Sequence, residues 1–255
     1  MSSFKYERNM KIGNIGFNAM TRDELINLIE SVNVDECSAY VTFTGMQIIV
    51  KAEKSKEVAD VENDATICAA DGMPVKWIGN IHGIKCDRCS GPDIMEKILE
   101  QGIKKDRRHF FYGTTEKTLS LLKENLEKKY PGIRIVGTYS PPFRALTKDE
   151  DEEIINKINL VHPDYLWVGL GAPKQDIWMK EHQNKIKKCR MMGVGAAFNF
   201  LAGTVKRAPV IFQKSGFEWL YRLLQEPKHL WKRYLIEGPK FGVICIRDML
   251  NNDNI

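Results

Sequence analysis

The sequence predicts an α/β protein: a Rossmann-like, mainly parallel sheet with helices on both faces, followed by a helical C-terminal appendage. Three observations predict it. Short apolar runs alternate with amphipathic stretches along most of the chain. The runs are apolar throughout rather than at every second residue, as strands buried on both faces are. The alternation stops after Ala208-Pro209. With 255 residues, 43% of them hydrophobic and 28% charged, the chain has ordinary globular composition and enough length for a large core. Collagenous, low-complexity and globally disordered chains are excluded.

In chain order, the first helix signal is Thr21 followed by Glu24, a capping-box spacing ahead of Leu25, Ile26, Leu28 and Ile29. The candidate strands are Ala39–Thr44, Ala65–Ala70, His109–Tyr112, Ile133–Gly137, Tyr165–Leu170 and Arg190–Val194, each bounded by Gly, Pro or a polar turn. Thr115–Lys129 places Leu119, Leu122 and Leu126 on one helical face and stops at Pro131-Gly132. Thr147 and Glu150 repeat the capping box before Ile154, Ile155 and Ile158. Val210–Gln225 and Pro227–Ile236 read as helices that mix apolar and basic residues. The expected organisation is an α/β body over 1–205 and a basic, aromatic-rich appendage over 206–255.

The net charge of +5 is unevenly placed. From Lys206 to Arg247 nine Lys or Arg face three Glu, a net +6 that leaves −1 for the rest of the chain. Seven aromatics share that segment, among them Trp219, Trp231 and Tyr234. A basic, aromatic end on a near-neutral body suits a polyanion or an anionic membrane surface. No run of about 18 uncharged apolar residues exists to span a bilayer. Met1 to Lys11 lacks the apolar centre of a secretory signal, so a cytoplasmic location is expected. The six cysteines then read as reduced thiols. Cys86-Asp-Arg-Cys89 has zinc or redox spacing but lacks a second close ligand pair.

In a parallel sheet ligands bind at the carboxyl ends of the strands, so residues just after each strand are the candidates. Asp71 ends one strand before Gly72; it is a proton acceptor at the mouth of a crevice, or a turn residue. Thr42 and Thr44 end another, where hydroxyls cap a helix or bind a ligand oxygen. Gly169-Leu-Gly171-Ala-Pro173 and Gly193-Val-Gly195-Ala-Ala are two strand-end glycine turns whose free amides favour phosphate. Neither completes the dinucleotide fingerprint, which argues against a dehydrogenase. Arg88, ahead of Gly91-Pro-Asp93, is a phosphate clamp or a solvated surface cation. The five histidines are scattered, and no Gly-x-Ser-x-Gly or Walker loop occurs, so a serine hydrolase and a P-loop NTPase are disfavoured. No Asp-x-Asp pair stands at a strand end to hold a divalent metal. A metal-independent site without a cofactor is expected.

These pieces in this order resemble the WecG/TagA/CpsF family of bacterial glycosyltransferases. The matching stretches are Val41-Thr-Phe-Thr44, Ala70-Asp71-Gly72, Arg88-Cys-Ser-Gly91-Pro-Asp93, Pro131-Gly132 to Gly137, Pro163-Asp164 to Trp178, Gly193 to Pro209 and Gly216 to Tyr234. The resemblance implies an inverting, metal-independent transfer of a sugar, N-acetylmannosamine foremost, from a UDP-sugar. The implied acceptor is a polyprenyl-diphosphate-linked saccharide on the cytoplasmic membrane face, in cell-surface polysaccharide or teichoic acid synthesis. It implies Asp71 as general base, with Thr42 beside it and the acceptor. Thr44, Arg88, Gly171, Gln175, Gly195, Asn199, Arg222 and Arg233 are the implied substrate-binding residues, the last two reaching the diphosphate.

Three positions depart from the family pattern: Thr44 stands for a common Asn, Asn199 for an Asp, and Asp176 for a Glu. Asn199 carries no charge and is no base, which leaves Asp71. The competing reading is a non-catalytic nucleotide- or nucleic-acid-binding protein using the basic end. The spacing of its aromatics with Leu220, Leu223, Leu224 and Leu230 fits amphipathic helices on a membrane better than base stacking, so no nucleic-acid partner is expected. The oligomeric state, a homo-oligomer included, is left open.

Overall fold

A computed structural model describes residues 5–251, apart from the side chains of Gln213, Lys214 and His229. Residues 1–4 and 252–255, at the outer limits of the two expected units, and the charge assigned to Lys214 lie outside the described residues. The described chain opens with an antiparallel hairpin of β1 (Met10–Ile12) and β2 (Ile15–Phe17). Then come α1 (Arg22–Ser31), β3 (Ala39–Thr44), α2 (Met46–Ala52), α3 (Lys56–Asp64), β4 (Ile67–Ala70), α4 (Met73–Ile81) and α5 (Gly91–Lys104). They are followed by β5 (Arg108–Gly113), α6 (Glu116–Lys129), β6 (Arg134–Tyr139), α7 (Lys148–Val161), β7 (Tyr165–Gly169), α8 (Lys174–His182), β8 (Arg190–Gly193) and α9 (Ala197–Leu201). The C-terminal part holds α10 (Val210–Ser215), α11 (Glu218–Gln225), α12 (Pro227–Trp231), a π-helical turn over Lys232–Glu237, and α13 (Gly238–Leu250).

Six strands form one all-parallel sheet in the order β4-β3-β8-β7-β5-β6, so the α/β Rossmann-like fold stands as expected. Each expected strand is present, Ala39–Thr44 with the expected bounds and the others with ends moved by one or two residues. The Thr21 and Thr147 capping boxes form as their spacing requires: each hydroxyl accepts from the backbone N–H three residues on, and each Glu accepts from the Thr N–H. Two-sided burial explains the unbroken apolar runs. Alternate residues of the strands, such as Val41, Phe111 and Trp167, pack against α1, α5 and α6. Their neighbours Tyr40, Tyr112, Leu166 and Val168 pack with Ile154, Ile158 and Met179 of α7 and α8.

One of the C-terminal expectations needs correction. Val210–Gln225 is not one helix: Gly216, at φ +84°, breaks it into α10 and α11. A Cβ there would meet the Trp77 ring at 3.0 Å, so close packing and the left-handed backbone both favour glycine. Pro227–Ile236 is helical as expected, α-helical to Trp231 and π-helical from Lys232 without a break between them. Sequence reading also passed over the β1–β2 hairpin and helices α3, α4 and α13. The signals for two of them were present: α3 has the N-cap Ser55 and buries Val58, Ala59 and Val61 on one face, and α4 opens with Pro74 and buries Val75 and Ile78. Helix α13 seats Phe241 and Ile244 in a core shared with Met10, Ile12, Ile49 and Ile78. Its Asp248 accepts a hydrogen bond from the Gly13 N–H at 2.6 Å.

Because Phe241 is buried in that core, Phe241→Ala should destabilise the whole protein by about 3 kcal/mol. A denaturant titration would read this as a lower midpoint with unchanged slope. A midpoint equal to wild type would show that α13 does not share the core.

Candidate active site

The carboxyl ends of β3, β4, β7 and β8 open into a cavity of about 560 Å³, roofed by residues from α9, α11 and the π-helical turn. Asp71 follows β4 and lines it. Its N–H donates to the Thr44 carbonyl at 3.0 Å, which continues the ladder one step past the strand. Gly72 then turns at φ +92°, a backbone that L side chains rarely adopt, and the chain leaves at once into α4. Gly45 caps α2 alongside; a Cβ there would stand 3.1 Å from the Asp71 carbonyl.

The two glycine turns are joined by one side chain. Gln175 is 3% exposed. Its Oε1 accepts from the Gly171 N–H at 3.1 Å, and its Nε2 donates to the Gly193 carbonyl at 2.7 Å. A Cβ on Gly193 would meet Asp176 Oδ1 at 2.8 Å and Gln175 Nε2 at 3.0 Å, so this strand end accepts only glycine. The two turns thus stand side by side, but the amides expected to be free for phosphate are in use: the Gly171 N–H bonds Gln175, and the Gly195 N–H donates to the Val168 carbonyl at 3.4 Å.

Four arginines and two carboxylates line the cavity: Arg88, Arg207, Arg222 and Arg233 with Asp71 and Glu218. Arg88 donates to Glu218 and, at 3.1 Å, to Asp93. Asp93 also accepts from Ser90 at 2.7 Å and from Arg207. Burial works against its charge, yet Arg207, Ser90 and Arg88 together hold Asp93 below the usual carboxylate range. Asp71 has the opposite balance. Burial pushes its pKa up to about 6, with Arg88 and Arg233 pulling down and the charges of Glu218 and Asp93 pushing up. The guanidinium of Arg222 lies 5.5 Å from the Phe200 ring, and that of Arg233 5.6 Å from Tyr234. The Nε atoms of Arg207, Arg222 and Arg233 are shut off from solvent without a hydrogen-bond partner. Four guanidinium groups lining one cavity fit an anionic ligand.

Of the ten residues expected at the site, seven line the cavity: Asp71, Arg88, Gly171, Gln175, Gly195, Arg222 and Arg233. Thr42, Thr44 and Asn199 do not. Alternation along β3 sends Phe43 to the cavity and turns both threonines the other way. Both are buried: Thr44 donates to Glu62 and lies 3.3 Å from the Thr42 hydroxyl. Asn199, in α9, accepts from Thr204 at its backbone and side-chain oxygens. Sequence reading missed Glu218, Asp93 and Arg207. Acids three to five residues from candidate arginines were the available signal, but pairing across 130 residues was not. The chain's Asp-x-Asp spacing, Asp149-Glu150-Asp151, lies in the first turn of α7, where Glu150 caps the helix and Asp151 pairs with His182 at 2.8 Å.

Behind β3 and β8 lies a second acidic feature. Glu62 is 1% and Asp176 2% exposed, and Glu62 Oε1 and Asp176 Oδ1 have no hydrogen-bond partner. Burial raises the pKa of both, and the charge of Glu62 raises Asp176 further, well above the usual range. A carboxyl whose folded pKa is raised contributes stability at low pH that is lost as pH climbs past the ordinary carboxylate range towards the folded value. Wild-type thermal stability should therefore fall with rising pH over that window. Asp176→Asn should flatten the fall and melt higher at the alkaline end. Parallel melting curves for the two proteins would count against a protonated buried pair.

The basic segment is partly consumed by internal pairing. Arg207 binds Asp93, and Arg247 binds Glu53 at 2.7 Å and Asp248 at 2.9 Å. Lys206, Lys228, Lys232 and Lys240 are exposed, as are Leu224, Trp231, Leu235, Val243 and Ile246. Among the described residues, no helix is long and apolar enough to cross a membrane.

Residues 10–255 match the profile described as the Glycosyl transferase WecG/TagA/CpsF family. Two relatives from Staphylococcus aureus, strains MW2 and NCTC 8325, are each 29% identical to the chain over 217 residues, covering 82% of it and 81% of their own length. A third, from strain MRSA252, matches to the same extent. All three bear the name N-acetylglucosaminyldiphosphoundecaprenol N-acetyl-beta-D-mannosaminyltransferase.

Proposed function

The chain belongs to the WecG/TagA/CpsF family of glycosyltransferases, and from that premise we propose that it transfers N-acetylmannosamine, with inversion and without a metal, from UDP to a polyprenyl-diphosphate-linked N-acetylglucosamine. The donor class follows the relatives' kind of reaction and the arginines that line the cavity. The acceptor follows the names of the S. aureus relatives. The product would serve cell-surface polysaccharide or teichoic acid synthesis.

The observation that carries this reading is Asp71 in the cavity, facing Arg88 and Arg233. In the proposed reaction the Asp71 carboxylate takes the proton of the acceptor hydroxyl as that oxygen attacks the anomeric carbon. The bond from that carbon to the diphosphate oxygen breaks on the opposite face, and the diphosphate leaves with the electron pair. Arg88, Arg222 and Arg233 face the charge that develops, the role a divalent cation fills elsewhere. Gln175 holds the turns in place, Thr42 and Thr44 steady the end of β3 from behind, and Asn199 ties the turn after α9. We assign residues 206–255 to completing the cavity and meeting the inner membrane surface. Exposed lysines would contribute about 1 kcal/mol each against anionic lipid, and the exposed apolar side chains add burial.

Asp71→Asn should fold and bind UDP yet lose about 10²-fold or more in turnover, as removal of a general base does. In the wild type, kcat/KM should rise with pH through an apparent pKa near about 6, since only the carboxylate accepts the proton. A pH-independent rate across that range, or a folded Asp71→Asn enzyme of normal turnover, would remove Asp71 as the base.

Metal independence has its own test. UDP release from UDP-N-acetylmannosamine and a short polyprenyl-diphosphate N-acetylglucosamine should continue undiminished in excess EDTA. Loss of turnover, restored by Mg²⁺ or Mn²⁺, would refute it.

A further inference from the structure

Arg88 is the cation that acts most strongly on the proposed base, and it is already in use. One terminal nitrogen donates to Asp93 of α5 at 3.1 Å, and the other donates to Glu218 of α11. The two carboxylates are held differently. Asp93 is fixed by Ser90 and Arg207 as well as Arg88, so it stays with the body. Glu218 reaches Arg88 from across 130 residues of chain, from the first turn of a helix with no buried residue. It lies four positions before Arg222 and thus on the same helical face, and both line the cavity.

We propose that Glu218 is a built-in counter-ion that occupies Arg88 while the cavity is empty and is displaced from it by the diphosphate of the nucleotide-sugar donor. This rests on the donor reading above. Asp93 pairs with one terminal nitrogen of Arg88 and is shared with Arg207, so without Glu218 the other terminal nitrogen of this enclosed guanidinium would lack its partner. A diphosphate brings at least two negative charges to a guanidinium suited to bidentate phosphate contact. A carboxylate left beside it would add like-charge repulsion in a poorly solvated site. Displacement removes that repulsion. The returning carboxylate then competes with the product nucleotide, which Arg88, Arg222 and Arg233 would otherwise hold tightly. Glu218 thus trades donor affinity for release, and it links the position of α11, with Arg222, to what occupies Arg88.

The test is a titration of UDP, and separately of inorganic diphosphate, into wild type, Glu218→Gln, Glu218→Asp, Arg88→Ala and the Arg88→Ala/Glu218→Gln double variant. Glu218→Gln should bind both ligands about tenfold more tightly, a modest coupling for a close charge pair. Donor KM should fall with it and kcat should not rise, because product leaves more slowly. Glu218→Asp, which keeps the charge, should stay near wild type. In the Arg88→Ala background the gain should vanish. Equal or weaker binding by Glu218→Gln, or a gain that persists without Arg88, overturns the proposal. If inorganic diphosphate shows the pattern and UDP binds to none of the proteins, the counter-ion role stands and the UDP reading falls. If neither ligand binds to any, both fall. A crystal structure of the wild-type protein with UDP checks the same point without a variant: Glu218 should have left Arg88, and an intact pair beside bound UDP would overturn the displacement.

Discussion

The site hangs on the Gln175 amide. It accepts from Gly171 N–H and donates to the Gly193 carbonyl, so the ends of β7 and β8 are held as one unit. Those strands are already level, with Val168 paired to Gly193. The amide extends that alignment past the sheet into turns that would otherwise be the least restrained part of the edge. The clamp works only because Gly193 has no Cβ to meet Gln175 and Asp176. It also fixes the start of α8, and hence the position of the buried Asp176.

Around this frame the same chemical groups are set to different tasks by their surroundings. Asp71 and Asp93 belong to one cluster with Arg88. Asp93 receives three donors and stays ionised, whereas burial dominates at Asp71 and lifts its pKa towards the range useful to a base. Glu62 and Asp176, on the far side of β3 and β8, are buried with too few donors and are raised together. The contrast comes from hydrogen-bond supply rather than from residue type.

The C-terminal helices join body and cavity by two kinds of contact. Phe241 and Ile244 put α13 into the core beneath β1, β2 and α2, an apolar attachment that salt does not weaken. Glu218, Arg222 and Arg233 meet the cavity through charge, an attachment that an anionic ligand rearranges. Between the two lies the π-helical turn that carries Arg233 and Tyr234. A stretch firmly held at one end and electrostatically held at the other suits residues that both close over a ligand and let it go.

Sequence alone determined the parallel α/β sheet, because strands buried on both faces must be apolar at every position. It determined the first helix boundaries, because Thr21 and Thr147 carry their own caps. It also pointed to Asp71 and the glycine turns, because a parallel sheet puts its ligand edge just after its strands. It marked Arg88, Arg222 and Arg233 through their motifs. The tertiary structure alone decided which strand-end side chains face the cavity. A one-residue alternation sends Phe43 in and turns Thr42 and Thr44 towards Glu62, and local sequence does not say which face of β3 the helices will cover. It alone decided that Gly216 would split a continuous helical pattern, since the reason is the Trp77 ring packed against it. It alone joined Glu218 to Arg88, because ion pairing depends on distance in space, and along the chain the two are 130 residues apart.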